Sequence, residues 1–489
     1  MNSQPPVIIL RAIGAIRFPA RERTQKSRFY GAFLMAATHS IGYSLPVIQG
    51  RVDLGQRFLR FAVIAMMLIG ILAPVVRLSD EFWLKLEMLL LPIVVLVYLW
   101  LLLAGLAHPI RWNALLIVAP VFSICIILSM LYGTQVLGHP LLARDFYELP
   151  KTVIPVIFFT LAYEADLSEA SLQTLLASLF PATLLICFYA YGQWFDLGFT
   201  HFLQPYYSGG FHDDGALAHY RRVYSTLSNP NHLGMLMTWV ITAFSLGALF
   251  RMQSRFWNVL LLFASLATLA MTGSRFGLLT GAFALLLLFF LPAPTERSKR
   301  RRNVILFAGL PLLLASFLFV VMSNRATLDR VQMLETPLQE GSLRLRLDGL
   351  WIDAVDKFIQ SPLFGHGPAK AIYSDIWTDS EYLVILKQYG ILGLLPFLCY
   401  FLIPLWLVWK GLRRVRSAGP SLEREWSGTY WALCVSFIMI VTVVVMNIGM
   451  DAYYNYSLLP YLWMWMGIGA SCARRVQAIS GYPARFLQS

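Results

Sequence analysis

The chain has 489 residues, of which 58% are hydrophobic and only 13% are charged, and its mean hydropathy is +0.63. A soluble domain carries roughly 25% charged residues, so this composition excludes a soluble globular protein and predicts a polytopic membrane protein. The net charge of +13 is compatible with a nucleic-acid partner, but the basic residues fall mainly in short segments between apolar runs. Membrane orientation explains that distribution, so we expect membrane lipids and no nucleic acid as partners.

Twelve apolar runs are long enough to cross a bilayer as helices. They are residues 58–76, 86–106, 114–133, 148–164, 172–192, 230–250, 256–273, 276–293, 303–322, 391–409, 430–449 and 456–472. A thirteenth run, 30–48, is interrupted by polar residues, and we interpret it as an interfacial or re-entrant helix. The alternative is a count of thirteen or fourteen spans. The sequence thus predicts an all-α membrane protein whose 489 residues form a single membrane-embedded domain.

Basic clusters predict which side of the membrane each loop occupies. Residues 297–302, 410–416 and 474–475 are rich in arginine and lysine, which is typical of cytoplasmic segments. With twelve alternating spans, all three clusters fall on the same side, and both termini are cytoplasmic. Two sizeable loops, 193–229 and 323–390, then lie on the opposite side, where we expect the functional site. The first thirty residues contain no clean apolar stretch, so no cleavable signal peptide is predicted.

The first of these loops ends in a basic pair and a turn that leads into a span. Arg221 and Arg222 precede Asn229-Pro230-Asn231. Asn229 is a candidate N-cap and Pro230 a candidate first helical residue. A helix N-terminus with arginines a few residues before it is a candidate anion site. The alternative is that both arginines only contact lipid headgroups.

Arg275 is the sole ionisable residue between Phe256 and Leu291 and stands between two spans at their outer ends. An arginine in the bilayer costs up to about 2.5–3.5 kcal/mol, so it usually faces a partner or a polar cavity. Interfacial snorkelling is the alternative.

The large loop contains two predicted helices joined by a glycine-punctuated stretch. The first runs from about 344 to 360 and includes Arg346, and the stretch PLFGHGPAK that follows contains His366. The second opens at Thr378-Asp379-Ser380-Glu381 and continues through Tyr382 into a span. Asp379 and Glu381 therefore lie near the membrane surface.

The carboxylates of this opening have a structural and a functional interpretation. Thr378 and Glu381 fit a capping box. Alternatively, a carboxylate in a cleft that also contains arginines acts as a general base, with His366 as the other candidate. The sequence contains no nucleotide-binding, metalloprotease or hydrolase motif and no metal-spaced carboxylate pair, and its five cysteines show no CxxC spacing. We therefore expect neither a metal nor a cofactor, and we expect a phosphorylated substrate drawn from the membrane.

Taken together, these motifs resemble the O-antigen ligase and polymerase superfamily, over roughly residues 220–395. Arg222 before Asn-Pro-Asn and Thr272-Gly-Ser-Arg275 are similar to the two essential arginines of the family. Residues 346–367 are similar to the helix and Gly-x-Gly loop of its large periplasmic segment. Asp379-Ser380 with the downstream Gly390-Ile-Leu-Gly393 resembles the ligase signature, except that Asp379 stands where ligases carry a histidine. This departure favours a polymerase.

The resemblance implies a GT-C-like fold and an inverting, metal-independent glycosyltransferase of the bacterial inner membrane with a periplasmic active site. It would transfer an oligosaccharide from undecaprenyl diphosphate to a lipid-linked acceptor glycan, with a chain-length regulator as a further partner. Arg222 and Arg275 would hold the diphosphate and Asp379 would accept a proton or orient the acceptor. The remaining candidates for substrate binding are Arg221, Arg346, His366, Glu381 and Tyr382. The alternatives are an O-antigen ligase acting on lipid A-core and a transporter of lipid-linked sugars.

Overall fold

A computed structural model of the chain describes residues 46–77, 83–207, 222–227, 229–291, 296–323, 349–373, 378–417, 426–450 and 458–480. The chain divides into two compact units, Met1–Asp53 and Leu54–Ser489. Of the first unit only residues 46–53 are described, as the first turns of a helix. The predicted interfacial segment 30–48 lies almost wholly outside the described residues. All further description concerns the second unit.

The described residues form fifteen α-helices and one short hairpin. The helices are α1 (Pro46–Leu72), α2 (Leu86–Leu103), α3 (Leu115–Gln135), α4 (Glu148–Ala165), α5 (Glu169–Trp194), α6 (Gly198–Tyr207), α7 (Pro230–Phe250), α8 (Arg255–Met271), α9 (Arg275–Phe290), α10 (Glu296–Ser323), α11 (Trp351–Gln360), α12 (Lys370–Tyr373), α13 (Glu381–Ser417), α14 (Ser427–Met446) and α15 (Leu459–Ser480). Strand β1 (Val75–Arg77) pairs antiparallel with β2 (Trp83–Lys85). Two 3-10 turns, Ala143–Tyr147 and Ser225–Leu227, complete the regular structure of these residues.

Each of the twelve predicted spans overlaps one long helix: α1 to α5, α7 to α10 and α13 to α15. Within the described ranges, eight of these helices are long and apolar enough to cross a membrane, and α8 and α9 are shorter apolar helices. Helices α4 and α15 fall outside both groups, and α4 carries three charged residues within its 18. The protein is an all-α polytopic membrane protein, as the sequence predicts.

The first predicted span, 58–76, is placed too far toward its C-terminal end. Helix α1 ends at Leu72, and residues 75–77 form β1 instead. Pro74 explains the difference, because a proline disfavours helical backbone in the residue before it and cannot donate a hydrogen bond of its own.

Helix α7 lies at the centre of the bundle, where every residue of its 18-residue apolar stretch is buried. It packs against α8, α9 and α14. Buried indoles join the helices through both ring contacts and hydrogen bonds. Trp239 stacks on Tyr461 with 5.9 Å between ring centroids, and Trp431 Nε1 donates to the Ala243 carbonyl at 2.9 Å. Such bonds satisfy polar groups where no water reaches them.

The second helix that the sequence predicts in the large loop, 323–390, is observed as the start of α13. Helix α13 begins at Glu381 and continues to Ser417, with a single non-helical residue at Gly390. The predicted boundary between loop and span at 390–391 therefore coincides with this kink. The first predicted helix, 344–360, is observed as α11 from Trp351, and residues 344–348 are outside the described residues.

Candidate functional site

Arg222 is fixed by hydrogen bonds to two segments that are distant in sequence. Its Nε donates to the Thr272 carbonyl at 2.8 Å, and its Nη2 donates to Asn231 Oδ1 at 2.8 Å. The neighbouring amide of Val223 donates to the Met271 carbonyl at 3.3 Å. The planar guanidinium thus ties the start of α7 to the end of α8, a geometry that a single ammonium group could not reproduce.

The Asn-Pro-Asn turn starts α7 in the predicted way. Asn229 is the N-cap, and its Oδ1 accepts a hydrogen bond from the amide of Asn231 at 2.8 Å. Pro230 is the first helical residue. Both expectations for this turn are confirmed. Asn231 has a further role that the sequence does not reveal, since its side-chain oxygen accepts the bond from Arg222.

Residues 272–275, the arginine turn, lead directly into α9. Gly273 has a φ of +59°, and a Cβ there would lie 3.4 Å from Arg222 Cγ. Ser274 is the N-cap of α9 and accepts the amide of Gly277 at 3.1 Å. Arg275 follows as the first helical residue, and its side chain is exposed. The turn therefore presents Arg275 outward and places it beside the segment that carries Arg222.

The N-termini of α7 and α9 lie at the same end of the bundle. Gly234 in the first turn of α7 packs against Ser274 and Gly277, and a Cβ at Gly234 would lie 3.2 Å from the Ser274 Cβ. A helix N-terminus carries unsatisfied N–H groups and a partial positive charge. Two N-termini and two arginines therefore create a strongly positive region.

Residues 378–381, the carboxylate segment, precede and begin α13. Asp379 is half-buried, whereas Ser380 and Glu381 are buried. The Glu381 amide donates to the Asn447 carbonyl at 3.0 Å, and the Ser380 hydroxyl donates to the same oxygen at 3.4 Å. In the residue directly after this segment, Tyr382 Oη donates to the Val444 carbonyl at 2.8 Å. The segment is thus attached to the end of α14.

The predicted capping box at Thr378 and Glu381 is wrong. Helix α13 begins at Glu381, so Glu381 is the first helical residue and not the third. The Thr378 hydroxyl is buried and makes no hydrogen bond. The Asn447 carbonyl, and not the threonine, satisfies the first amide of the helix.

The turn after α14, residues 447–449, connects the carboxylate segment to the arginine turn. Its Asn447 carbonyl holds Ser380 and Glu381. Its Gly449 lies so close to the ring of Phe276 that a Cβ there would overlap the ring. Phe276 directly follows Arg275, so the two predicted halves of the site flank this one turn. No sequence pattern indicates Asn447 or Gly449, because their role depends only on tertiary packing.

The glycine loop, residues 361–367, pairs with the first part of α13. The amides of His366 and Gly367 donate to the carbonyls of Lys387 and Gln388 at 3.0 and 2.8 Å. Gly365 and Gly367 have φ values of +66° and +74°. A Cβ on Gly365 would lie 2.5 Å from the Gln388 carbonyl oxygen. These glycines therefore allow backbone to approach backbone.

His366 is buried in the same loop and pairs with a histidine that the sequence analysis missed. Its Nδ1 lies 3.1 Å from His139 Nε2, its Nε2 lies 2.9 Å from the Lys357 carbonyl, and the two imidazole rings stack. Burial lowers the pKa of His366, and the charges of His139, Lys357 and Lys387 lower it further, against the opposing effect of the Lys357 carbonyl. The neutral pair connects the glycine loop to the segment after α3.

Two candidates, Arg221 and Arg346, lie outside the described residues. Among the residues that the structure describes, no three His, Cys, Asp or Glu side chains are grouped closely enough to hold a metal ion.

The fold and these residues define a multi-pass membrane protein with a positively charged site and adjacent carboxylates at one end of its helix bundle. Residues 260–398 match the family model described as O-antigen ligase, Wzy_C, which confirms the resemblance to the O-antigen ligase and polymerase superfamily. Members of this family are glycosyltransferase-like ligases and polymerases, which implies lipid-linked glycan substrates. The matched region contains Arg275, the glycine loop and the carboxylate segment, whereas Arg222 precedes it. A comparison with curated proteins finds no match.

Proposed function

We propose that this protein is a polysaccharide polymerase, which transfers an oligosaccharide from undecaprenyl diphosphate to the end of another lipid-linked glycan. The observation that supports it is that residues 447–449 contact both the carboxylate segment and Phe276, the residue that follows the arginine turn. A donor diphosphate needs positive charge, and an acceptor hydroxyl needs an acceptor for its proton. Both types of group lie at the same end of the bundle.

In the proposed reaction, the acceptor hydroxyl attacks the anomeric carbon of the donor while the bond from that carbon to the diphosphate oxygen breaks. Arg275 and the N-terminus of α9 stabilise the negative charge that grows on the leaving diphosphate. Arg222 adds positive charge and fixes the arginine turn through its bond to Thr272. The arginines supply the charge compensation, so the proposed reaction needs no metal. The direct displacement of the diphosphate by the acceptor hydroxyl inverts the anomeric configuration.

Asp379 receives the proton of the acceptor hydroxyl, or orients that hydroxyl as a hydrogen-bond acceptor. Its side chain is half-buried at the edge of the site, whereas Glu381 is fully buried. Orientation of the acceptor is as much a part of the proposed role as proton transfer.

A ligase that acts on lipid A-core is the second candidate, and the family match is compatible with both a ligase and a polymerase. The ligase version in which His366 is the base is less well supported. His366 is buried, and both of its ring nitrogens are engaged by His139 and the Lys357 carbonyl. The proposal includes four further substrate-binding residues, Arg221, Arg346, Glu381 and Tyr382. It also includes a bacterial inner membrane, a site that faces the periplasm, and cytoplasmic termini.

The experiment supplies purified protein with a defined undecaprenyl-diphosphate-linked repeat in EDTA and separates the products by chain length. A ladder supports the polymerase. A single transfer onto added lipid A-core, with no ladder, contradicts the polymerase and supports the ligase. Binding of the donor without either product indicates a transporter of lipid-linked sugars.

A further inference from the structure

A basic cleft lies between the end of α9 and the first turns of α10, at the end of α9 opposite to Arg275. It has a volume of about 750 Å³, and its polar lining consists of Lys299, Arg300, Arg302 and Asn303. Among the described residues that line it, none is acidic. None of these residues takes part in the site described above, and the inference drawn from them does not depend on the proposed function.

An apolar slot of about 380 Å³ continues from this basic cleft. Phe289, Asn303 and Phe307 line both, and the slot extends along α10 to Leu310 and Pro311. The rings of Phe289 and Phe307 are largely exposed on the outer surface of the helix bundle, at 53% and 81%. The surface therefore has a positively charged mouth and an apolar extension that opens toward the hydrocarbon region.

Arg302 is held in position at the border between the two parts. Its Nη1 donates to the Leu291 carbonyl at 2.8 Å, and its Cζ lies 5.1 Å from the centroid of the Phe289 ring. Its Nε is buried and makes no hydrogen bond, and the same is true of Asn303 Oδ1. A buried N–H group of a guanidinium without an acceptor is unfavourable, so this geometry suits a ligand that brings an anionic oxygen.

We propose that the basic cleft and the apolar slot bind one anionic glycerophospholipid, with its phosphate at Arg302 and one acyl chain along Leu310. Basic pockets between membrane helices attract anionic headgroups, and each lysine or arginine near the surface contributes to that attraction. A small soluble phosphate would fill the mouth alone and leave the slot open. The adjoining slot and the exposed phenylalanines therefore favour the lipid.

The test measures binding of phosphatidylglycerol to the purified full-length protein by native mass spectrometry, with phosphatidylcholine as the uncharged comparison. Phosphatidylglycerol should bind more tightly. Arg302→Ala should weaken it about fivefold, which corresponds to about 1 kcal/mol. Arg413→Ala is the matched control, because Arg413 also lies over an aromatic ring, with its Cζ 5.2 Å from the Trp409 centroid, but lines neither the cleft nor the slot. It should leave the affinity unchanged.

Two further variants separate the possible causes of a loss. Arg300→Ala removes an exposed charge of the mouth without touching the bond to Leu291, so it should weaken binding even if Arg302→Ala disturbs folding. Leu310→Trp fills the slot and should weaken long-chain phosphatidylglycerol but not glycerol phosphate. Equal binding of both phospholipids, or equal effects of Arg300→Ala and Arg413→Ala, overturns the proposal. The proposal is also overturned if inorganic phosphate competes with phosphatidylglycerol and Leu310→Trp leaves the binding of phosphatidylglycerol unchanged.

Discussion

Replacing Gly365 with alanine should weaken the docking of the glycine loop onto α13. Gly365 has a φ of +66°, and alanine in this left-handed region costs about 1–2 kcal/mol. The new Cβ would also lie 2.5 Å from the Gln388 carbonyl oxygen and from the Tyr389 amide nitrogen. Both are backbone atoms that cannot rotate away, so overpacking adds about 1–3 kcal/mol. The expected loss in free energy of unfolding is therefore about 2–5 kcal/mol.

Gly105→Ala is the matched control for the backbone contribution. Gly105 has a φ of +67°, but nothing lies within 4 Å of a Cβ at that position. It should lose only about 1–2 kcal/mol. Denaturant titration of both purified variants in detergent or bicelles measures the difference in their free energies of unfolding. Equal losses would refute the view that close backbone contact at Gln388 requires the glycine.

Three further variants or conditions test other contacts of the structure. Arg222→Lys should lower the free energy of unfolding by about 1.5–3 kcal/mol, because lysine cannot keep both hydrogen bonds of the guanidinium. The control, Arg251→Lys at an exposed helix end, should change it by less than about 0.5 kcal/mol. Denaturant titration compares the two variants. Glu148→Gln should cost about 3–5 kcal/mol, because the buried carboxylate pairs with Lys151 and Lys370, each at 2.7 Å, and no loss in the same titration contradicts this. Burial lowers the pKa of His366 below its usual 6.5, so the neutral form of this side chain stabilises the fold above pH 6.5. This contribution is lost as the pH falls below 6.5. A plot of melting temperature against pH should show the loss in the wild type and not in His366→Gln.

The places of the long apolar helices along the chain were predictable because membrane spans are long apolar runs whose hydrogen bonds close within one segment. The start of α7 was predictable for a similar reason, since the side chain of Asn229 and the fixed φ of Pro230 act on adjacent backbone. Errors occurred where distant residues decide the local structure. The capping box failed because Asn447, far away in sequence, provides the acceptor for the first amide of α13.

The candidate site was predictable in its residue types but not in its assembly. Arg275 and Asp379 stood out because charged residues are rare next to apolar runs. Nothing in the sequence indicates that Gly449 packs on Phe276, although this contact joins the two regions. His139 was missed because a lone histidine in a loop has no local pattern, and its partner His366 is 227 residues away.

The most direct test of the proposed site compares two arginines in matching surroundings. Arg275 and Arg255 are each the first residue of a helix, preceded by a serine, followed by a phenylalanine, and exposed. Only Arg275 lies at the proposed site. We predict that Arg275→Ala slows oligosaccharide transfer from the undecaprenyl-diphosphate-linked donor by about 100-fold or more, while Arg255→Ala retains the wild-type rate. Transfer at the wild-type rate by Arg275→Ala, or equal losses in both variants, would contradict the assignment.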